Sequence, residues 1–151
     1  MYYPLDKRDR ATGAWKFISK GNLNYNGTND RNNFRFFGPL PNGLPGNVQW
    51  EKGHLIGAEF GGRGGSIAGP KGAGRPNFVP MSRAVNHGAY ATIENLIKDQ
   101  ANAGKCVLLE TYPMFTPRRN WPTAILVMIT YFNPATMKPS GSEPAKLVMN
   151  G

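Results

Sequence analysis

The residues best suited to do chemistry lie between positions 50 and 94. Glu51-Lys52-Gly53-His54 come first. A glycine-rich segment follows, then Asn77-Phe78-Val79-Pro80, then Ser82-Arg83-Ala84-Val85-Asn86, which opens a helical pattern through Tyr90 and Glu94. Hydrolysing a phosphodiester needs a base for the attacking water and positive charge beside the scissile phosphate. A histidine, with an ordinary pKa of ~6.5, can stand neutral and accept that proton. A hard cation such as Mg²⁺ takes oxygen ligands and keeps several of its waters, so an asparagine carbonyl suits it. The stretch therefore reads as a one-metal hydrolytic site: a histidine base, an amide ligand, and a helix that presents the ligand. Gly53 gives the backbone beside His54 freedom to turn or to approach a ligand closely.

The helix must position these groups. Ser82 is a candidate N-cap for a helix running to about residue 103, and Gly104 a candidate C′ residue. Val85, Ala89, Ile93, Leu96 and Ile97 recur at helical spacing and predict the buried face. Asn86, Tyr90 and Glu94 form a second stripe at i, i+4 and i+8. From the helical rise, Asn86 and Glu94 are about 12 Å apart along the axis, so both are not expected to touch one ion directly. Were an ion bound here, the spacing would favour Asn86 as the direct ligand and Glu94 as a residue reaching the ion's waters. On the residues alone, Asn86 also reads as a surface or capping residue and Glu94 as a helix-surface charge. His87 is predicted to point to another face than its neighbour Asn86, and an arrangement using both histidines fits the spacing poorly. Lys98, four residues after Glu94, offers it a pairing partner.

Glu51-Lys52-Gly53-His54 resembles the Asp-Arg-Gly-His motif of the DNA/RNA non-specific endonucleases of the ββα-metal superfamily. The longer string Gly53-His54-Leu55-Ile56-Gly57, then Phe60-Gly61-Gly62, Asn77 to Pro80 and Asn86, resembles the branch found as toxin domains of bacterial secreted effectors. The order and approximate spacing of His54, Asn77, Asn86 and Glu94 match. The resemblance covers about half the chain tightly and continues more loosely to about Tyr131. It implies that His54 is the general base, Asn86 the metal ligand, Glu94 a holder of the metal's waters, and Asn77 a support for the histidine or the substrate. Mg²⁺ is the implied ion, with Mn²⁺ as an alternative. Two positions depart from the pattern. Glu51 replaces aspartate, keeping the charge and adding a methylene. Lys52 replaces the phosphate-contacting arginine, keeping the charge but losing the bidentate fork.

The 151 residues are enough for one domain with a core, and residues 1–151 are read as one. With 19 glycines and 13 prolines but 40% hydrophobic residues, the chain is loop-rich and not disordered. A net charge of +9 suits polyanions, because Lys and Arg neutralise phosphates and release counterions. The single cysteine, Cys106, excludes an internal disulfide and is expected to be a buried, inert thiol. Nothing resembles a Cys/His zinc cluster. No stretch resembles a signal peptide, and residues 124–129 are far too short to cross a bilayer, so no membrane partner is expected.

Along the chain, residues 14–18 predict a short strand, 22–33 a turn or loop, 34–37 a strand and 38–46 a loop. Residues 48–51 read as a strand entering the site, and 55–60 as its continuation. Residues 61–75 carry seven glycines with Arg63, Lys71 and Arg75. Two readings stand for that segment: a basic loop that closes on substrate, or a connector. It is not a Walker A loop, since Lys71 lies between Pro70 and Gly72. Residues 105–112 and 123–132 predict neighbouring strands. The connection between them carries Arg118, Arg119 and Trp121. Residues 146–149 predict one short strand in a Pro/Ser/Gly-rich tail. Arg31 and Arg35 are upstream cations without an assigned role.

The expectation is an α+β fold: an antiparallel sheet with a ββα-metal module. The expected activity is Mg²⁺-dependent hydrolysis of DNA, and of RNA as well, with low sequence preference because phosphate contacts carry no base information. Lys52, Arg63, Arg75 and Arg119 are the candidate substrate contacts, with Lys52 also beside the chemistry. A toxin-domain resemblance implies a payload delivered into a target cell by a bacterial secretion system, and an acidic immunity protein as partner. The alternative is a nucleic-acid-binding module of the same fold with weakened catalysis.

Overall fold

The computed structural model describes residues 1–8, 10–23, 40–62 and 77–151. The expected strand at 34–37, Arg31, Arg35, and the cations Arg63, Lys71 and Arg75 of the glycine-rich segment lie outside the described residues.

β-Branched and aliphatic residues at alternate positions build the larger sheet. Strands β4 (Cys106–Met114) and β5 (Ala124–Phe132) pair antiparallel from Cys106↔Phe132 to Met114↔Ala124. Val107, Leu109 and Thr111 of β4 are buried, as are Ile125, Val127, Ile129 and Tyr131 of β5. Strand β1 (Ala14–Ile18) pairs β4 antiparallel. Strands β6 (Pro139–Ser142) and β7 (Lys146–Met149) both pair with β5. The sequence predicts β1, β4, β5 and β7 but not β6. Pro139-Ser140-Gly141-Ser142 has no apolar residue and all four are exposed, so only pairing with β5 makes it a strand.

The smaller sheet is the pair β2 (Trp50–His54) and β3 (Phe78–Ser82), in register from Trp50↔Ser82 to His54↔Phe78. A π-helical turn (Val85–Ala89) and helix α1 (Tyr90–Asn102) follow. This β2–β3–α1 succession is the ββα unit, and the fold is α+β. Ser82 does cap the helical segment, its Oγ accepting from the Val85 N–H at 3.4 Å. Gly104 takes a left-handed φ of 93° just past the helix end.

The predicted buried face is corrected at its start. A π turn closes from the Tyr90 N–H to the Val85 carbonyl, five residues back rather than four. The extra residue rotates the register, so Tyr90 turns inward and Ala89 is exposed. From there the expected spacing resumes, with Ile93, Ile97 and Ala101 buried. Burying each of the two isoleucines contributes about 1.5–3 kcal/mol. One hydrophobic cluster joins Ile18 of β1, Met81 of β3, Ile97 of α1, Val107 of β4, Ile125 of β5 and Val148 of β7. Helix α1 packs on β4, and the π turn before it faces β2 through Asn86 and Glu51. Among the described residues no helix is long and apolar enough to cross a membrane.

Candidate active site

Strand β2 carries the acidic, basic and histidine positions of the motif. Successive strand residues face opposite sides, so Glu51 and Gly53 share one face and Lys52 and His54 the other. His54, at the end of β2, lies against its cross-strand partner Phe78, with ring centroids 4.3 Å apart. Gly53 is buried within β2 and does not adopt a left-handed conformation. The expected need for a turn is therefore replaced by packing: a Cβ on Gly53 would stand 2.6 Å from the Met81 side chain.

The chain does not continue as a strand after His54, contrary to the expectation for residues 55–60. Asn77, just before β3, supplies the reason. Its carbonyl accepts from the Leu55 N–H at 2.8 Å and its Oδ1 from the Ile56 N–H at 2.8 Å. Its Nδ2 donates to the Ile56 carbonyl at 3.1 Å. The buried Asn77 amide thus replaces a strand partner and lets the backbone turn. A three-ten turn (Ala58–Phe60) follows, closed by the Phe60 N–H on the Gly57 carbonyl at 3.0 Å, with the Gly62 N–H donating to the same carbonyl at 3.0 Å. The Tyr90 hydroxyl donates to the Leu55 carbonyl at 2.7 Å, fixing this turn to α1. Asn77 therefore braces the segment that follows His54.

On the helix side, Asn86 Nδ2 donates to Glu51 Oε2 at 2.8 Å. His87 Nε2 lies 2.7 Å from the same oxygen, and Arg83 Nη1 is 3.8 Å from Glu51 Oε1. The expectation that His87 faces away from Asn86 is thus corrected, since both side chains meet on one carboxylate. Burial alone would raise the Glu51 pKa, but the Asn86 and His87 hydrogen bonds and the His87 and Arg83 charges hold it below the usual value.

Glu94, two turns further on, reaches the turn after β2: a Cβ on Gly57 would lie 2.5 Å from Glu94 Oε1. Burial, then the nearby Glu59 charge, pushes the Glu94 carboxyl up to about 7, with Lys98 opposing. Lys98 makes its ion pair with Glu59 instead, at 3.0 Å, which corrects the expected Glu94–Lys98 pair. The stripe of Asn86, Tyr90 and Glu94 thus lies along the backbone from Glu51 to Gly57.

Among the described residues, the candidate cations Lys52 and Arg119 lie apart. Lys52 is opposite Pro80 on β2, and burial lowers its pKa. Arg119 lies over Trp121, 5.3 Å from the ring centroid, and Trp121 contacts Trp50. Trp50 begins β2 and His54 ends it, about 13 Å apart by strand rise. The structure therefore places Arg119 beyond the opposite end of β2 from His54.

The donors suit a hard, mostly hydrated cation. The Asn86 amide has its nitrogen committed to Glu51, which presents its oxygen as the ligating end. Glu94 adds a carboxyl that a neighbouring positive charge would ionise. Among the described residues no group of three or more His, Cys, Asp or Glu forms a metal cage. A site with one amide ligand does not require one. Sequence reasoning did not single out Glu51 as the hub of these contacts, because 35 residues separate it from Asn86. It also missed Asn150, whose amide joins the Ser82 N–H at 2.8 Å, the Pro80 carbonyl at 3.0 Å and the Pro122 carbonyl at 2.8 Å. Nothing in its local sequence signals that clamp.

Residues 1–131 match the family model described as DNA/RNA non-specific endonuclease. No curated protein matches the chain. Several solved structures share the fold. NucA from Streptococcus agalactiae with magnesium ion bound has a TM-score of 0.69 at 15% identity, over 99% of this chain and 71% of NucA. A chain described as an extracellular endonuclease has a TM-score of 0.69 at 15% identity, over 100% of this chain and 77% of that one. Sda1 nuclease with bound zinc ion has a TM-score of 0.64 at 16% identity, over 100% of this chain and 74% of Sda1.

Proposed function

Because this chain belongs to the DNA/RNA non-specific endonuclease family, we propose that it cleaves DNA, and RNA as well, by metal-dependent hydrolysis around His54 and Asn86. The observation that carries this reading is the seating of the Asn86–Glu94 stripe along residues 51–57, with Asn86 bound to Glu51 at 2.8 Å. His54 takes the proton of the attacking water. The water oxygen bonds to phosphorus as the bond to the 3′-oxygen breaks, leaving a 5′-phosphate end. Asn86 would hold the cation through its amide oxygen, and Glu94 would accept hydrogen bonds from its waters. When bound, the cation supplies positive charge to the phosphate and the leaving oxygen. Mg²⁺ is the favoured ion on the hardness of these oxygen donors. Lys52 supplies a point charge to phosphate, and Asn77 braces the backbone after His54. Arg63 and Arg75 are the further candidate phosphate contacts.

Similarity to a chain described as an extracellular endonuclease supports action outside the producing cell. The narrower reading, a toxin payload neutralised by an acidic partner, rests on the sequence resemblance and the charge of +9.

The test is cleavage of supercoiled plasmid with Mg²⁺, an EDTA control and His54→Ala. EDTA should abolish cleavage and His54→Ala should slow it at least ~100-fold, the scale of a lost general base. Cleavage by His54→Ala at the parent rate would remove His54 from the base role. Salt-sensitive DNA binding with no cleavage under Mg²⁺ or Mn²⁺ would instead mark a binding module, the reading that the Lys52 departure favours.

A further inference from the structure

We infer that His87 is a positioning residue for the cation site, acting through Glu51 on the amide of Asn86; this rests on the reading of Asn86 as the metal ligand. A side-chain amide has two ends of nearly equal shape and opposite polarity, and only the oxygen end ligates a cation. The end that faces the ion is set by what holds the other end. Here Glu51 Oε2 accepts from Asn86 Nδ2 at 2.8 Å, which keeps the nitrogen turned to β2. That assignment is only as firm as the carboxylate. Glu51 is a glutamate with three rotatable side-chain bonds, so it needs its own constraint. His87 provides one, with Nε2 2.7 Å from the same oxygen. Arg83 is too far, at 3.8 Å and on the other oxygen, to fix the rotamer through a hydrogen bond.

The backbone is built for this double contact. Consecutive residues of an α-helix project about 100° apart and do not face one target. Asn86 and His87 both lie in the π turn Val85–Ala89, and their side chains converge on one atom. His87 itself stays largely open to solvent, with 62% of its side chain accessible, so burial does not explain its place.

The experiment titrates Mn²⁺ into the chain without nucleic acid, following free Mn²⁺ by electron paramagnetic resonance. The variants are Asn86→Ala, His87→Ala and His87→Gln. Asn86→Ala should abolish the site. His87→Ala should weaken Mn²⁺ binding about 10-fold or more, the usual effect of losing a group that orients a ligand. His87→Gln keeps an N–H donor of similar reach and should recover most of the affinity. Thermal unfolding without metal should be nearly the same for both His87 variants. Parent-like Mn²⁺ binding by His87→Ala, with Asn86→Ala still defective, would overturn the role of His87 alone. So would His87→Gln binding as weakly as His87→Ala. A parent chain that binds no Mn²⁺, or an Asn86→Ala variant that binds it normally, would overturn the metal-ligand reading beneath it.

Discussion

Lys52 is half-buried on β2 opposite Pro80, and desolvation lowers its pKa. If it meets phosphate, Lys52→Ala should raise KM and lower kcat together, while Lys52→Arg should retain or improve kcat/KM through bidentate contact. Steady-state kinetics on an oligonucleotide checks this, and an unchanged kcat/KM in Lys52→Ala would remove the residue from the substrate. Glu94 makes a prediction of opposite character. Its carboxyl sits at about 7 rather than 4.5, mainly through burial. The folded chain therefore holds that proton more tightly than the unfolded chain does. The contribution favours folding below the ordinary value and fades as pH rises from there through about 7, by on the order of 3 kcal/mol. In EDTA, the parent should lose stability relative to Glu94→Gln between pH 5 and 8. Parallel denaturation curves across that range would contradict the assignment. A bound cation favours the ionised carboxylate, so Mn²⁺ affinity should rise over the same window in the parent and less in Glu94→Gln.

The turn after β2 is the element on which His54 depends. Its backbone is satisfied by Asn77 rather than by a neighbouring strand, through three hydrogen bonds to Leu55 and Ile56. Asn77→Ala removes the two made by the side chain and leaves buried Ile56 groups unpaired, at about 2–4 kcal/mol. For a chain of this size that is a melting-point drop of roughly 5–12 °C, read by circular dichroism. A parent-like melting point would show that water or another group replaces the amide. Gly62 tests the same turn from its far end, since a Cβ there would stand 1.8 Å from the Ile56 carbonyl. Gly62→Ala must shift that backbone and should impair cleavage. Gly88→Ala, where nothing lies within 4 Å of the added Cβ, is the matched control in the π turn.

For the whole molecule, 18 Lys and Arg against 9 Asp and Glu set the response to salt. Phosphate contacts release counterions, so log affinity falls linearly with log salt, with a slope of about −0.9 per contact on duplex DNA. Three contacts would give a loss of roughly 40-fold between 50 and 200 mM salt. Fluorescence anisotropy with His54→Ala and labelled duplex measures the slope and hence the number of phosphates engaged. A slope near zero would mean that the net charge does not serve the substrate. Lys52 lies in the middle of β2 and Arg119 beyond its Trp50 end, so single removals should change the slope by about one contact at most.

Strands β1, β4, β5 and β7, the Ser82 cap, the Gly104 stop and the motif of β2 were legible in sequence. Each is a local matter of apolar alternation, capping chemistry or residue order. The α+β class followed from the same local signals, and the family from the resemblance carried by the motif residues His54, Asn77, Asn86 and Glu94. Tertiary structure alone decided the rest. The π turn exposes Ala89 and buries Tyr90, because the wider turn rotates the register and nothing in Val85-Asn86-His87-Gly88-Ala89 announces it. β6 exists through pairing with β5 and has no apolar pattern of its own. Asn77 and Asn150 are clamps for backbone 21 and 68 residues away. Glu51, Asn86 and His87 meet on one carboxylate oxygen only when β2 and the helix pack. Contacts across such separations depend on where whole elements come to rest, which local periodicity does not encode.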